Sequence, residues 1–173
     1  HLSIRRQRQM CIRDRLGTVV SLADGEPLAT YGTYHCENCR ICQLAGKQHT
    51  LCIQSHIYGM NEAERFGGKY VYFCPLGLTC FTSPIVGTDS TDAKITVGPF
   101  LMMGRQDYIH DDLLPRAQMP YDLQELTAEV QKIPVVPAAR VEDISSLLFM
   151  AVGFMNNVWA ASNMLELQES YSI

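Results

Sequence analysis

The run Lys69-Tyr-Val-Tyr-Phe-Cys74-Pro-Leu-Gly77-Leu78 is the part of the sequence that says most about the fold. Its β-branched and aromatic residues are typical of a strand. The strand must end near Cys74, because Pro75 has no N–H to continue a ladder and Gly77 readily adopts turn conformations. The run therefore predicts a strand that leaves the Cys74 thiol at the mouth of a sheet, a place where small ligands often bind.

Other strands are predicted on both sides of this run. Residues 17–22 are a short β-branched stretch, and turn residues separate them from a second strand at 28–34, so the two predict a hairpin. Residues 81–86 also have strand composition, and apolar residues on both faces of 94–103 predict a strand that is buried on both sides. We expect a mixed sheet of about five strands, with residues 69–74 and 94–103 central.

Helical periodicity completes an α/β pattern. Residues 51–66 end at Gly67 and Gly68, a typical helix terminus, and residues 121–133 carry apolar residues at helical spacing. From residue 140 onward one long signalling helix is predicted.

Two apolar stripes run along the predicted C-terminal helix. One has the alternating three- and four-residue spacing of a short coiled coil, and consists of Val141, Ile144, Leu148, Ala151, Met155, Val158 and Leu165. The other consists of Leu147, Phe154 and Trp159. We expect the first stripe to be partly exposed and to form a homodimer. We expect Phe154 and Trp159 to pack against their own chain, although a helix buried wholly in a core remains the alternative.

Composition limits the functional classes. The chain has 173 residues, 47% apolar and 18% charged, with a net charge of −4, so it suits a globular domain and carries no basic footprint for nucleic acid. No apolar run approaches the roughly 20 residues of a membrane-spanning helix, and no secretory signal begins the chain. A cytoplasmic location is predicted. Its reducing conditions favour free or metal-bound thiols over disulfides.

Residues 1–16 differ from the acidic chain that follows. Met10-Cys-Ile-Arg-Asp-Arg15 matches the translation of a transposase adapter used in sequencing libraries, so we interpret residues 1–16 as an artefact and exclude them from the fold. Residues 17–133 are predicted to form a single domain. Residues 134–173 are predicted to be a linker and a signalling or dimerisation helix, with an output domain missing.

The cysteines allow a metal centre, a disulfide scaffold or a thiol-lined pocket. Two residues separate Cys36 from Cys39 and Cys39 from Cys42, and with Cys52 these cysteines offer four thiolates for zinc or an iron–sulfur cluster. Cys74 is a further candidate ligand. The alternative is that several of these thiols lie in the core, since free cysteine is among the most buried residue types.

Motifs for catalysis are missing from the sequence. It contains no GxSxG, P-loop, HExxH or glycine-rich dinucleotide fingerprint, and its histidines are scattered. The predicted function is therefore not enzymatic.

Five short motifs, in order, resemble the PocR sensory domain: Ile41-Cys42-Gln-Leu, Leu51-Cys52-Ile-Gln-Ser, Tyr72-Phe73-Cys74-Pro-Leu-Gly77-Leu78, Ser83-Pro84-Ile85 and Val97-Gly98-Pro99-Phe100-Leu101-Met102. The resemblance implies a PAS-like sheet flanked by helices that binds small molecules such as simple diols and hydrocarbon derivatives. It also implies a place in front of an AraC-type DNA-binding module, a histidine kinase or another bacterial signalling module.

The resemblance also indicates site residues. Cys42, Cys52 and Cys74 match the family's characteristic cysteines, and His56 stands where the family often has an acidic residue. We predict a ligand site formed by Cys42, Cys52, Cys74, Tyr72, Gly77 and Pro99. The alternative is a zinc or iron–sulfur sensing module with ligands among Cys36, Cys39, Cys42, Cys52 and Cys74. A shared zinc ion would hold the sulfurs of Cys42, Cys52 and Cys74 roughly 3.5–4 Å apart.

Overall fold

A computed structural model describes residues 16–22, 24–85 and 93–170, with side chains described as far as residue 157. Residues 1–15 of the segment interpreted as an artefact, residues 1–16, therefore lie outside the described residues. So do the predictions for the side chains of Val158, Trp159 and Leu165.

Five strands form one sheet. They are β1 (Thr18–Leu22), β2 (Pro27–Tyr31), β3 (Tyr70–Phe73), β4 (Thr79–Ile85) and β5 (Ala93–Phe100), in the order β2-β1-β5-β4-β3. This confirms the α/β class, the hairpin and the five-stranded sheet with helices around it. The four strand pairings are antiparallel rather than mixed. A parallel contact occurs at an isolated bridge between Leu101 and Val135.

Only one of the two strands predicted to be central lies at the centre. β5 occupies the middle of the sheet and is buried along most of its length, as predicted. The placement of residues 69–74 at the centre is wrong, because β3 is an edge strand. Its aromatic residues instead form a row of ring contacts with the end of the preceding helix, where Phe66 stacks on Tyr70 and Tyr70 on Tyr72. The aromatic residues of β3 therefore reflect side-chain packing against the preceding helix. They do not indicate a strand with neighbouring strands on both sides.

The helices follow the predicted spans closely. They are α1 (Ile41–Leu44), α2 (His49–Arg65), α3 (Leu123–Lys132) and α4 (Ala138–Ser170). α2 ends where Gly67 and Gly68 adopt the positive φ values of 90° and 106° that favour glycine. α3 begins at Asp122, whose carboxylate accepts hydrogen bonds from the N–H groups of Gln124 and Glu125. Among the described residues, no helix is both long and apolar enough to cross a membrane.

Two further helical segments complete the fold. A 3₁₀ turn at Cys36–Asn38 precedes α1, and a π-helical turn at Tyr108–Leu113 lies between Arg105–Asp107 and Leu114–Arg116. The largest core cluster lies where these helical segments meet the turn after β3 and the end of β5. Its most deeply buried members include Ile41, Leu76, Leu78, Leu101, Tyr108, Leu113, Leu126, Val130 and Ile133.

The two faces of the sheet differ in polarity. Side chains alternate between the faces along a strand, so Lys94 and Thr96 of β5 point to the side opposite Ile95 and Val97. The face that carries Lys94 and Thr96 is covered by α2 and is largely polar. The second is apolar and packs against α4, with members Phe81, Ile95, Val97, Phe100, Val141, Ile144 and Leu148.

α4 places its apolar residues differently from the prediction. Val141, Ser145 and Val152 are buried, while Ile144 and Leu148 are half-buried against the sheet. The prediction that Phe154 packs on its own chain is wrong, since this side chain is 71% exposed.

The exposed stripe consists of Leu147, Met150, Ala151, Phe154 and Met155. A seam with a period of 3.5 residues drifts around a straight helix of 3.6 residues per turn. This drift is only about 20° per heptad, and the predicted seam is buried at Val141, half-buried at Leu148 and exposed at Met155.

Candidate functional site

A small, partly open cleft lies between α2 and the polar face of the sheet, with a cavity volume of about 30 Å³. Its lining residues are Val19, Ser21, Gly25, Cys36, Glu37, Ile53, His56, Lys94 and Thr96. The strand register builds its floor, because Val19 pairs with Thr96 and Ser21 pairs with Lys94 across β1 and β5. The mixture of apolar residues with a few polar groups is typical of small-molecule sites.

The close approach of α2 to the sheet depends on Gly59. A Cβ at this position would lie 2.5 Å from Cε1 of Tyr72, which is too close for any carbon contact. The glycine therefore lets the helix lie directly over the β3 tyrosine. This fixes the height of α2 above the cleft.

A chain of polar contacts joins α2 to the sheet beside the cleft. The Cys52 sulfur lies 3.5 Å from Nε2 of His56, and Nδ1 of His56 lies 2.5 Å from the Tyr72 hydroxyl. Burial, with a smaller contribution from nearby Lys94 and His49, lowers the pKa of His56 to about 4. Burial also raises the pKa of Tyr72. Both groups are therefore neutral near pH 7, which suits them to hydrogen bonding rather than to ion pairing.

Lys94 is the unusual member of the cleft. Lys94 is 1% exposed, and its Nζ has no hydrogen-bond partner among the residues that the structure describes. Burial lowers the pKa of this amine, while the carboxylates of Asp24 and of Glu37, which also lines the cleft, act in the opposite direction. An amine without a partner at this depth is costly to the fold.

Three side chains beside the cleft could hold a metal ion. The ligand atoms of Cys36, His56 and Cys80 lie within 4.8 Å of one another, and the Cys36 and Cys80 sulfurs are 3.7 Å apart. Two thiolates and an imidazole are a donor set that zinc accepts. The hydrogen bond that Cys36 donates to Cys80, together with burial, raises the pKa of Cys36. Metal binding would have to displace protons from these thiols.

The predicted five-cysteine metal set does not gather in one place at that spacing. In the described part of the chain, the group within metal-ligand distance contains Cys36 alone of the five, joined by His56 and Cys80. Cys42 and Cys74 are buried in the largest core cluster, with Cys39 and Cys52 packed against it. All six described cysteines are free thiols.

Cys42 and Cys52 form a thiol pair within this arrangement. The hydrogen bond that Cys52 gives to Cys42 lowers the pKa of Cys42 and raises that of Cys52. Burial raises the pKa of Cys74 to about 12. Cys74 therefore stays protonated and behaves as a small apolar core residue.

None of the six predicted ligand residues lines the cleft itself. Tyr72 and Cys52 contact His56 at its edge. Gly77 lines a separate cleft with Tyr108 and Asp112, and Pro99 is buried within β5.

Of the nine residues that line the cleft, the predicted site residues include only Cys36, as a metal ligand, and the polar residues Ser21, Lys94 and Thr96 are among those missed. A signal for two of them was present. Lys94 and Thr96 alternate with apolar residues in a strand that was predicted to be buried on both faces. A lysine on the inner face of such a strand indicates a functional position, since buried lysines are rare without a partner.

Comparison with known families supports a sensory role. The family described as the sensory domain found in PocR matches residues 14–158. No curated protein and no solved structure matches the chain.

Proposed function

The chain belongs to the PocR sensory-domain family, and we propose from this membership that it is the small-molecule-sensing part of a bacterial transcription regulator or sensor kinase. Its ligand would be a small diol or hydrocarbon derivative, bound in the cleft between α2 and the sheet. The observation that supports this site is the polar, largely buried face of the sheet beneath a helix that carries Ile53 and His56. The function is binding and signalling without catalysis, in the cytoplasm, where free thiols are stable.

The proposed signal passes through the thickness of the sheet. Lys94 and Thr96 face the cleft, while their neighbours Ile95 and Val97 belong to the apolar cluster that includes residues of α4. Ligand binding that favours one arrangement of β5 would thereby favour one position of α4, which is a population shift. α4 would transmit this change to an output domain.

A homodimer through α4 is part of the proposal. The exposed stripe has apolar residues at positions 147, 150, 151, 154 and 155, a helical repeat that faces away from the sheet. Contiguous apolar surface of this kind commonly marks an interaction site. A second copy of the same helix would cover it symmetrically.

Filling the cleft tests the ligand site. Ile53→Trp places a large ring at the cleft, and Leu51→Trp makes the same change on α2 at a residue that is equally exposed, 39%, and does not line it. Thermal unfolding with and without 1,2-propanediol or 1,3-propanediol should show a ligand-dependent rise in Tm for the wild type and Leu51→Trp. Ile53→Trp should lose that rise. An unchanged rise in Ile53→Trp would place the ligand elsewhere.

A metal or redox sensor is the second candidate, because Cys36, His56 and Cys80 converge beside the same cleft. Elemental analysis of protein purified without oxygen tests it. A bound zinc or iron ion that Cys80→Ala removes and Cys74→Ala retains would support the candidate. Metal content below one ion per ten chains in the wild type would reject it.

A further inference from the structure

Lys94 combines three properties that are rarely found together. It lies in the central strand, its side chain is almost completely buried, and its amine has no hydrogen-bond acceptor within the described part of the chain. Of the acidic residues whose charge acts on it, Asp24 and Glu37 are both exposed, and neither forms an ion pair with it. Buried ammonium groups in proteins are normally paired.

The position of Lys94 directs this unpaired amine into the cleft. Ser21 lies directly across from it on β1, and Thr96 follows two residues later on the same face of β5. The Ser21 hydroxyl can donate a hydrogen bond to an oxygen held near the amine, whereas the Thr96 hydroxyl donates to Oγ1 of Thr82 at 3.4 Å. Val19 and Ile53 supply apolar surface in the same cleft. The cleft therefore offers both a site for a charged oxygen group and apolar surface for a short hydrocarbon.

We propose that the ligand of this cleft is a small carboxylate, whose charged group pairs with Lys94 and whose hydrocarbon part lies against Val19 and Ile53. The inference rests on the proposed sensing function and narrows its ligand class. A carboxylate would pair directly with Lys94, which Asp24 and the cleft residue Glu37 do not do, and its oxygens would accept a hydrogen bond from Ser21. A neutral diol leaves the charge of the amine uncompensated. Burial makes the ion pair stronger than it would be at the surface.

A titration with matched ligands tests the class. The probes are the straight-chain carboxylates from acetate to hexanoate, and the primary alcohols and 1,2-diols of the same chain lengths. Binding is measured by calorimetry and by the rise in Tm. At least one carboxylate should bind the wild type about tenfold or more tightly than the alcohol of equal length, since a charge-assisted hydrogen bond is lost in the alcohol.

Two variants assign the effect to Lys94. Lys94→Met keeps the length of the side chain and removes its charge, and Lys47→Met makes the same change outside the cleft. The carboxylate should bind Lys47→Met as it binds the wild type and bind Lys94→Met at least about tenfold more weakly. Without ligand, Lys94→Met should unfold at a higher temperature than the wild type, because it no longer buries an unpaired amine. This readout also shows that the variant folds.

The outcomes separate the inference from the function on which it rests. Carboxylate affinity that is unchanged in Lys94→Met, or alcohols and diols that bind as tightly as carboxylates, would overturn the carboxylate assignment. Binding of neutral compounds would at the same time support sensing in general. If no compound of either class binds, both the assignment and the proposed ligand class fail.

Discussion

At the scale of single residues, two glycines of the long helices have opposite roles. Gly59 of α2 faces the Tyr72 ring, where a Cβ would approach to 2.5 Å, whereas a Cβ on Gly153 of α4 would meet no atom within 4 Å. Gly59→Ala should lower the free energy of unfolding by about 1–3 kcal/mol through overpacking. Gly153→Ala should raise it by up to about 1 kcal/mol through helix propensity. Urea unfolding of both variants measures the difference.

Gly59→Ala should also reduce ligand binding, because it pushes α2 away from the sheet that forms the cleft floor. Equal stabilities of the two alanine variants would show that α2 does not lie against Tyr72 as described.

His56 should make stability depend on pH in the metal-free protein. Burial lowers its folded-state pKa to about 4, below the value of about 6.5 expected in the unfolded chain. The unfolded state therefore binds more protons between these values, so stability is complete above about pH 6.5 and falls as the pH drops towards 4. The loss should not exceed about 3 kcal/mol.

Urea unfolding between pH 4 and pH 7.5, with a chelator present, measures this contribution. His56→Gln cannot take up a proton in that range and should show a shallower dependence. A wild-type slope no steeper than that of His56→Gln would contradict the buried, neutral imidazole.

At the scale of secondary-structure elements, α4 separates a core face from an outer face within three residues. Val152 is 2% exposed and Phe154 is 71% exposed. The pair Leu147→Glu and Phe154→Glu should abolish a dimer in light scattering and leave Tm nearly unchanged, since both side chains are exposed. Val152→Glu should instead unfold the chain, because it buries a charge.

Leu147 and Phe154 are better positions for this test than residues of the seam predicted from the sequence. Leu148 and Met155 belong to the predicted seam, but Leu148 packs against the sheet and Met155 is exposed. Changing both to Glu would mix a core effect with an interface effect. Persistence of a dimer after Leu147→Glu and Phe154→Glu would rule out the outer face of α4 as its interface.

At the scale of the whole molecule, the sequence predicted elements better than it predicted their arrangement. The strands, the long helices and the family followed from periodicity, turn residues and short motifs. The order of strands did not, because the aromatic run of β3 suits an edge that is packed by rings as well as a centre. Strand order depends on contacts between distant parts of the chain, which local composition does not encode.

The candidate site was predicted only in part for a similar reason. The prediction relied on cysteines because they are easily recognised in a sequence. Cys42 and Cys74, however, are buried in the largest core cluster. The cleft instead is lined by ordinary residues such as Ser21, Lys94 and Thr96, which antiparallel register brings together from β1 and β5. The division into residues 1–16, 17–133 and 134–173 stays a prediction.

Hydrogen exchange along the intact chain tests most directly whether a ligand bound beneath α2 changes the conformation of α4. The exchange of backbone amides is compared with and without an excess of butanoate or 1,2-propanediol, whichever raises Tm. Amides in α2 and β5 should become protected, and exchange in residues 141–152 of α4, on the opposite face of the sheet, should change as well. Protection confined to the separate cleft around Gly77 and Asp112, with α2 and α4 unchanged, would contradict both the site and the route of the signal.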